Sequence, residues 1–202
     1  GRILAAATDL FAQRGYEATS TRSIADAVGL NIATVAYHVG GKPALYLEVM
    51  RRAHSSQRHA VVEALTQLAQ CEPTPEAIRS GLHDFVDAYL DFCLSHPEVP
   101  ALWMRRWLDE GEDVAHIERE FAGPLVAQVS AQVRLVLDRA GIVGDTDVEM
   151  LVYSIVWTTH SFSRAGFVDS TGARQDPSSR ALRQRFAQHL HRLVDGAIGE
   201  TD

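Results

Sequence analysis

The sequence predicts an all-α fold, and three observations carry this prediction. Apolar residues recur at intervals of three and four along nearly all of the 202-residue chain, which is the spacing of an amphipathic helix. The alternating apolar and polar pattern that strands need is nearly absent. Capping and breaking residues divide the chain into segments of helical length. We expect about nine helices, arranged as a small N-terminal domain in residues 1–46 and a helical body in residues 47–202.

The first helix is expected to pack against the two short helices that follow it. Its apolar stripe consists of Ile3, Leu4, Ala7, Leu10 and Phe11. Such a stripe at helical spacing predicts one buried face. Gly15 is expected to end the helix.

Residues 20–46 predict two short helices joined by a glycine turn. Ser20 is a good N-cap, since its hydroxyl can accept from an amide of the first turn. Gly29 stands where a left-handed residue is needed to end that helix. Asn31 can cap the next helix, and Val35 is expected to anchor it to the core. This sequence of caps, glycine and short helices is typical of a helix-turn-helix.

The body is expected to contain six further helices, at residues 42–70, 76–95, 101–110, 113–140, 146–164 and 179–198. Thr74 can cap the second of these, with Pro75 in its first turn. Pro124 lacks an amide donor and should kink or split the helix that contains it. Either Asp145 or Thr146 is expected to cap the helix that follows. Residues 166–178 are polar and have the composition of a disordered loop.

The charge of the chain is unevenly distributed. The formal net charge is −7, which by itself argues against nucleic acid as a partner. Residues 1–58, however, contain seven basic and four acidic residues, a net charge of +3, while the remainder carries −10. A basic head on an acidic body directs phosphates to one end of a molecule.

Composition also bears on the compartment. Cys71 and Cys93 lie far apart without CxxC spacing, which predicts a reducing cytoplasm and no structural disulfide. No run approaches the length of apolar sequence that a membrane span needs, so we expect no membrane association. Glycine-rich phosphate loops and GxSxG motifs are missing, so neither catalysis nor a cofactor is predicted.

Residues 3–46 resemble the TetR family of bacterial transcriptional regulators. The resemblance rests on residues 3–20, 24–30 and 34–46, and most specifically on the in-register run of Gly29, Thr34, Tyr37, His38, Gly40 and Lys42. Beyond residue 50 only the helical architecture is similar. The resemblance implies a homodimeric DNA-binding repressor whose body binds a ligand and dimerises. It specifies neither the ligand nor the operator.

Three departures from the family pattern are visible. Val39 stands where the family usually has phenylalanine, which is a larger plug for the core behind the third helix. Pro43 replaces a residue that is more often polar, and it suits the first turn of a helix. The basic arm that often precedes the first helix is not part of this sequence.

The resemblance assigns contacts with the DNA backbone to Thr34, Tyr37, His38 and Lys42. Their hydroxyl, imidazole and ammonium groups suit phosphate, and a helix N-terminus favours anions. Two alternatives stay open, since the Tyr37 ring can instead pack in the core and His38 can instead brace the turn. Ser20 is included with this set because it begins the second helix.

Base recognition is expected from Arg22, Asn31, Ile32 and Ala33. Arginine can pair bidentately with guanine, and the methyl group of alanine can contact that of thymine. The alternative for Arg22 is a phosphate contact. The third helix carries no acidic residue, so its face can enter a major groove without repelling phosphates.

A pocket for a small apolar or aromatic ligand is predicted in the body. The candidate lining residues are Phe85, Tyr89, Trp103, Trp107, Met150, Tyr153, Trp157 and His160. If the tryptophan pair of the short helix faces the aromatic side of the later one, they enclose an apolar cavity with a few polar groups. Arg105 or Arg106 can receive an acidic group, although a solvated position is the preferred interpretation. The alternative for the aromatic residues is ordinary core packing.

Residues 146–164 and 179–198 are expected to form the homodimer. Each segment has an apolar face, and two such faces from each subunit can form a four-helix bundle. A symmetric pair of heads would bind a palindromic operator, and a small hydrophobic effector would release it.

Three other interpretations remain. The protein can be a DNA-binding regulator without a ligand, controlled by a protein partner, or a ligand-binding module that has lost DNA binding. A metal sensor is the third, but the histidines lack ligand spacing. His54 with His59, or His189 with His191, are expected to be solvated.

Overall fold

The computed structural model describes residues 1–108, 116–142, 144 and 146–199, with the side chains of residues 36, 38 and 39 excepted. The all-α prediction is confirmed. Over the described ranges the helices are α1 (Arg2–Arg14), α2 (Thr21–Val28), α3 (Ile32–Val39), α4 (Lys42–Ala69), α5 (Pro75–Ser95), α6 (Glu98–Leu108), α7 (Gly123–Arg139), α8 (Val148–Ala165) and α9 (Arg180–Ile198). A π-helical turn, Glu118–Ala122, precedes α7.

The described helices belong to two compact units that alternate along the chain. Unit 1 comprises Gly1–Gln57 and Pro97–Gly123, and unit 2 comprises Arg58–His96 and Pro124–Asp202. Helix α4 begins in unit 1 and ends in unit 2. The division into a DNA-binding domain and a ligand-binding body at residue 46 is a division by function and stays a prediction.

The core of unit 1 joins α1, α2, α3 and the start of α4. Phe11 and Val35 are fully buried, which confirms the predicted stripe of α1 and the anchor of α3. The Phe11 and Tyr16 rings each lie about 5 Å from the Tyr46 ring, at centroid distances of 4.9 and 4.8 Å. Aromatic rings at this separation bury a large apolar area and attract edge to face. This cluster holds the ends of α1 against α4.

Helix α6 begins at Glu98, three residues before the predicted start. Pro100 therefore lies in the first turn of the helix, where amides have no intrahelical acceptor and proline costs little. The predicted interruption after residue 95 is present, but it comprises only residues 96 and 97. Helix α6 packs against α1 within unit 1.

Pro124 does not split the helix, because helical structure is continuous from residue 117 to residue 139; the alternative, a kink, stays a prediction. The amide of Gly123 donates to the carbonyl of Glu118, five residues earlier, and closes the π-helical turn. Pro124 follows in the first turn of α7, where its missing amide leaves no broken bond. The predicted start of this helix at residue 113 lies outside the described residues.

Polar pairs tie α5 to α9 in unit 2. Asp195 accepts from Arg79 and from the Nε2 of His83, both at 2.8 Å. His191 bonds to Asp87 at 2.9 Å, so the expectation that His191 is solvated was wrong. The His83 and His191 rings stack at a centroid distance of 4.1 Å. These contacts lie between the two helices. The carboxylates there provide hydrogen-bond partners for imidazole groups that are partly removed from water.

The N-cap of α8 is Asp147, whose carboxylate accepts from the amide of Met150 at 3.1 Å. The prediction of Thr146 as the cap was therefore wrong, and Asp145 lies outside the described residues. Thr146 instead donates its hydroxyl to the carbonyl of Ala197 in α9. Thr146 has the better local spacing for a helix cap, but its hydroxyl is bound to an acceptor far away in the chain.

The polar segment after α8 is ordered, contrary to its composition. It forms a two-stranded antiparallel hairpin, β1 (Phe167–Val168) and β2 (Arg174–Gln175). Asp169 organises the turn by accepting from both amide and hydroxyl of Thr171, from the amide of Ala173 and from the Gln175 side chain. These hydrogen bonds hold the pKa of Asp169 below its ordinary value. The hydrogen bonds to this one carboxylate therefore order a segment whose polar composition predicts disorder.

Candidate nucleic-acid interface

The turn between α2 and α3 is built from local hydrogen bonds. The Ser20 hydroxyl accepts from the amide of Ser23 at 3.0 Å, and the Ser23 hydroxyl accepts from the amide of Ser20 at 3.2 Å. Gly29 has φ 68° and ψ 34°, the left-handed conformation that costs glycine least. Asn31 caps α3 by accepting from the amide of Thr34 at 2.7 Å. The predicted caps and glycine turn are confirmed, and they orient α3.

Helix α3 presents apolar and aromatic side chains to solvent. Tyr37 is 87% exposed and Ile32 is 38% exposed, and Asn31 and Ala33 are exposed beside them. The alternative in which the Tyr37 ring packs in the core is therefore wrong. Neighbouring exposed apolar residues on one helix form a surface that can contact a partner. The side chain of His38 lies outside the described residues, so its role stays a prediction.

Lys42 is held at the first turn of α4. Its ammonium lies 4.2 Å from the centre of the Tyr16 ring and donates to the carbonyl of Glu17 at 3.3 Å. The cation–π contact and this hydrogen bond restrict the side chain before any ligand arrives. An ammonium has three donors, so two remain available to a phosphate. The resemblance did not reveal this preorganisation.

Three of the predicted contact residues already have local partners. The Thr34 hydroxyl donates to the Asn31 side-chain oxygen at 2.8 Å, so Thr34 must rotate before it can donate to a phosphate. The carboxamide nitrogen of Asn31 carries the donors with which it can read a base. Ser20 accepts the capping bond and keeps its own hydroxyl proton. The side-chain atoms that stabilise the turn are therefore already hydrogen-bonded. Only the remaining donors and acceptors of these residues can contact DNA.

The arginines of the head differ in their availability. Arg22 is exposed on α2, whereas Arg51 and Arg52 both bind the carboxylate of Glu48, at 2.8 and 2.7 Å. The two hydrogen bonds lower the pKa of Glu48 to about 2. Glu48 was not singled out from the sequence, although its spacing of three and four residues from the arginines is the signal for helical ion pairs. Arg22 is the more available cation for DNA.

The predicted ligand residues divide between the two units. Trp103 and Trp107 lie in unit 1 with ring centroids 6.1 Å apart, and Trp103 is buried. In unit 2, the Tyr89 hydroxyl lies 2.7 Å from the Nε2 of His160, and both side chains are buried. Burial lowers the pKa of His160 to about 4, because a charged imidazole is poorly solvated there. Tyr89 and His160 therefore form a neutral polar pair inside the body.

The other four candidates of unit 2 lie nearer the surface. Met150 and Tyr153 are 56% and 57% exposed, and Phe85 and Trp157 are half-buried. The Tyr153 and Trp157 rings stack at a centroid distance of 6.2 Å along α8. Met150 and Tyr153 form an apolar stripe on the surface of α8, which suits a protein contact as well as a ligand. Their role in ligand binding stays a prediction.

Arg105 and Arg106 have partners within unit 1. Arg105 donates to the carbonyl of Gln13 at 2.9 Å, at the C-terminal end of α1. Arg106 is 6% exposed, and its Nε lies 2.7 Å from the Glu118 carboxylate. The interpretation of Arg106 as a solvated residue was therefore wrong. With Glu118 already in place, Arg106 is not an open receptor for an acidic ligand.

Two further findings concern metals and membranes. In the described ranges, no group of three or more histidine, cysteine or acidic side chains is arranged to hold a metal ion. His54 was expected to be solvated but is half-buried, with its ring stacked 5.1 Å from that of Phe121. None of the helices in this part of the chain has the length and apolar character needed to cross a membrane.

Comparison with known proteins agrees with this geometry. Residues 3–49 match the family described as bacterial regulatory proteins, tetR family. The chain is 34% identical over 92 residues to the HTH-type transcriptional activator FasR of Mycolicibacterium smegmatis. That match covers 46% of this chain and 39% of FasR, so the chain spans well under half of the curated relative.

Solved structures match over nearly the whole chain. The TetR family transcriptional regulator PfmR from Thermus thermophilus is 21% identical, with a TM-score of 0.66 over 99% of this chain and 100% of PfmR. A bacterial regulatory protein of the tetR family from Rhodococcus is 22% identical, with a TM-score of 0.70 over 100% and 97%. These likenesses establish the fold. Together with the match over residues 3–49, they make the chain similar in fold, and in its helix-turn-helix, to the TetR family of bacterial regulatory proteins.

Proposed function

We propose that the chain is a DNA-binding transcriptional regulator that reads its site through α3. The observation that carries the proposal is Tyr37, which is 87% exposed on a helix without acidic residues. Lys42, restrained by Tyr16 in the first turn of α4, supplies a positive charge five residues later in the chain. An exposed aromatic ring and a restrained cation suit the sugar-phosphate backbone, and Ile32 and Ala33 suit apolar contacts with base edges.

We further propose that it acts as a homodimer on a palindromic operator. One head offers few contacts, whereas two heads related by a two-fold axis double them and read half-sites of inverted sequence. The exposed stripe of Met150 and Tyr153 on α8 supports a contact surface on that helix. Burying such a stripe against its symmetry mate removes apolar area from water on both subunits.

A small apolar or aromatic ligand is proposed to release the operator. Within unit 1, α6 carries both Trp103 and Trp107 and packs against α1, and Arg105 links it to the carbonyl of Gln13. A ligand that displaces α6 would therefore displace α1 of the head. Such a ligand acts only if it binds the released conformation more tightly than the DNA-binding one. In this proposal the protein without ligand occupies the operator and represses transcription, and the ligand relieves the repression. FasR, by contrast, is named an activator.

Selection from random duplex DNA tests the first two proposals. Purified protein is incubated with the pool at about physiological salt, since phosphate contacts weaken steeply as salt rises. Recovery of an inverted repeat supports both sequence reading and dimeric binding. A Tyr37→Ala protein carried through the same selection is the matched control and should enrich the same motif less strongly, because a backbone contact contributes affinity rather than sequence discrimination. Failure of the wild-type protein to enrich any sequence would overturn the proposal.

The sign of regulation is tested separately. The recovered site is placed over a promoter, and transcripts are counted in a purified transcription reaction with and without the protein. A fall in transcripts supports a repressor, whereas a rise would contradict that part of the proposal. Neither result alters the conclusion of the DNA selection.

A further inference from the structure

The segment from Gln13 to Glu17 leads from the end of α1 towards α2 and lies within unit 1. Two cations from different helices bind this segment. Arg105 of α6 donates to the carbonyl of Gln13 at 2.9 Å. Lys42 of α4 donates to the carbonyl of Glu17 at 3.3 Å, and its ammonium lies 4.2 Å from the centre of the Tyr16 ring. We call residues 13–17 the linking segment.

Hydrogen bonds and ring contacts restrict the linking segment at its centre. The hydroxyl of Thr19, a buried residue, donates to the carbonyl of Gly15 at 2.8 Å. The amide of Gly15 donates to the carbonyl of Phe11 at 2.9 Å. The Tyr16 ring is buried and lies 4.8 Å from the Tyr46 ring. A segment held at several points moves as one body, because close-packed groups resist small independent displacements.

Arg105 binds the linking segment at a position where a cation is favoured. The carbonyl of Gln13 is one of the last four of α1, which have no amide donor from within the helix. These carbonyls carry the negative end of the helix dipole, so an arginine side chain beside them is stabilising. The next residue, Arg106, is buried and paired with Glu118. Arg106 therefore anchors α6 to the π-helical turn, whereas Arg105 connects α6 to α1.

Lys42 contributes most to DNA affinity when its ammonium is already held where a phosphate binds. A lysine side chain is long and flexible, and it loses rotational freedom when it is fixed. The Tyr16 ring and the Glu17 carbonyl restrict it, and both belong to the linking segment. A displacement of this segment therefore moves or releases the ammonium, even if α4 itself stays in place.

We propose that Arg105 is a positioning residue for DNA binding and that it acts on Lys42 through the linking segment. Its hydrogen bond fixes the segment at Gln13, and the partners of the ammonium follow three and four residues further along the chain. The inference rests on the proposed function, because it takes Lys42 as a phosphate contact. It assigns a part in DNA binding to a residue of α6, far from the helix-turn-helix in the sequence.

Nuclear magnetic resonance tests the link between the two residues without DNA. Lys42 is the only lysine in the sequence, so a protein labelled with ¹³C at lysine Cε gives a single signal. The ring current of Tyr16 should shift the ε protons upfield of their position in the urea-unfolded protein. In Arg105→Gln this upfield shift should fall, because the segment that carries the ring is released at Gln13. Arg105→Lys keeps a donor for that carbonyl and should retain most of the shift. Arg119→Gln, which removes an exposed arginine of the π-helical turn, is the matched control and should leave it unchanged.

Operator affinity shows whether this positioning matters for binding. Arg105→Gln should weaken binding to the recovered operator about threefold or more, and the same change in a Lys42→Gln protein should have little further effect. Such non-additivity is expected when one residue acts through the other. An arginine that contacted DNA directly would instead give additive losses.

The outcomes separate this inference from the proposed function. An unchanged Lys42 signal in Arg105→Gln, or additive losses of affinity in the double variant, would overturn the inference. The link between Arg105 and Lys42 is measured without DNA, so a wild-type protein that binds no duplex would refute the proposed function and leave that link supported. Unchanged circular dichroism shows that the variants fold.

Discussion

Replacing His160 by glutamine should remove a defined part of the acid sensitivity of folding. The ring is fully buried, and burial lowers its pKa from 6.5 to about 4. The unfolded chain therefore binds more protons than the folded one between these two values. Stability rises with pH through this window, is fully present above pH 6.5 and is lost as the pH falls towards 4.

The size of the effect follows from the two pKa values. A shift of this size corresponds to about 3 kcal/mol when the whole window is crossed. At about pH 5 the loss relative to neutral pH is about 2 kcal/mol, since the folded imidazole is still mostly neutral there. Carboxylates with lowered pKa, such as Glu48 and Asp169, lose their contribution mainly at lower pH. The contribution of His160 to the pH dependence of stability can thus be measured separately from the contributions of the acidic residues.

Urea denaturation at about pH 7 and about pH 5, followed by circular dichroism at one protein concentration, measures the difference. The fall in unfolding free energy between the two pH values should be about 2 kcal/mol smaller in His160→Gln than in the wild type. Glutamine keeps an acceptor for the Tyr89 hydroxyl. His59→Gln removes an exposed histidine and should leave the fall unchanged. An equal fall in wild type and His160→Gln would refute the reasoning.

Three further predictions concern the DNA-binding head and the hairpin. Tyr37→Ala should change stability by under about 0.5 kcal/mol, because the ring is exposed, yet weaken operator binding about tenfold or more in fluorescence anisotropy; an unchanged affinity would contradict this. Lys42→Gln should weaken binding to all duplexes and reduce the salt slope by about one unit, whereas Arg58→Gln, which removes an exposed arginine of unit 2, should not; equal slopes in wild type and Lys42→Gln would exclude Lys42 from the contacts. Asp169→Ala should accelerate tryptic cleavage after Arg174 while leaving the helical content intact, because it removes the carboxylate that accepts the hydrogen bonds of the turn; unaltered cleavage would mean that other contacts order the hairpin.

Local features of this protein were predictable because their interactions span only a few residues. The Ser20 cap, the left-handed Gly29 and the Thr74 cap each depend on partners close by in the chain. Capping chemistry acts at that range. The resemblance to the TetR family also identified the helix-turn-helix, since the residues that match the family in register are those that form α3 and the turns beside it.

Errors occurred where a distant residue supplied the partner. Thr146 has good capping spacing, but the carbonyl of Ala197 takes its hydroxyl and leaves the cap to Asp147. The hairpin after α8 was wrongly predicted for a different reason, because its partners are local. Asp169 accepts from residues two to six positions further on, whereas composition averages polarity over the segment and does not register one carboxylate with several donors.

The sequence by itself determined most of the helices, several of their caps and the family resemblance of the head, because helical periodicity and capping are properties of neighbouring residues. The tertiary structure alone decided which apolar and charged residues face solvent. It buried His160 against Tyr89, exposed Tyr37 and paired the buried Arg106 with Glu118. Burial and charge pairing depend on residues brought together from distant parts of the chain, and for this reason the functional surfaces emerge only in the folded protein.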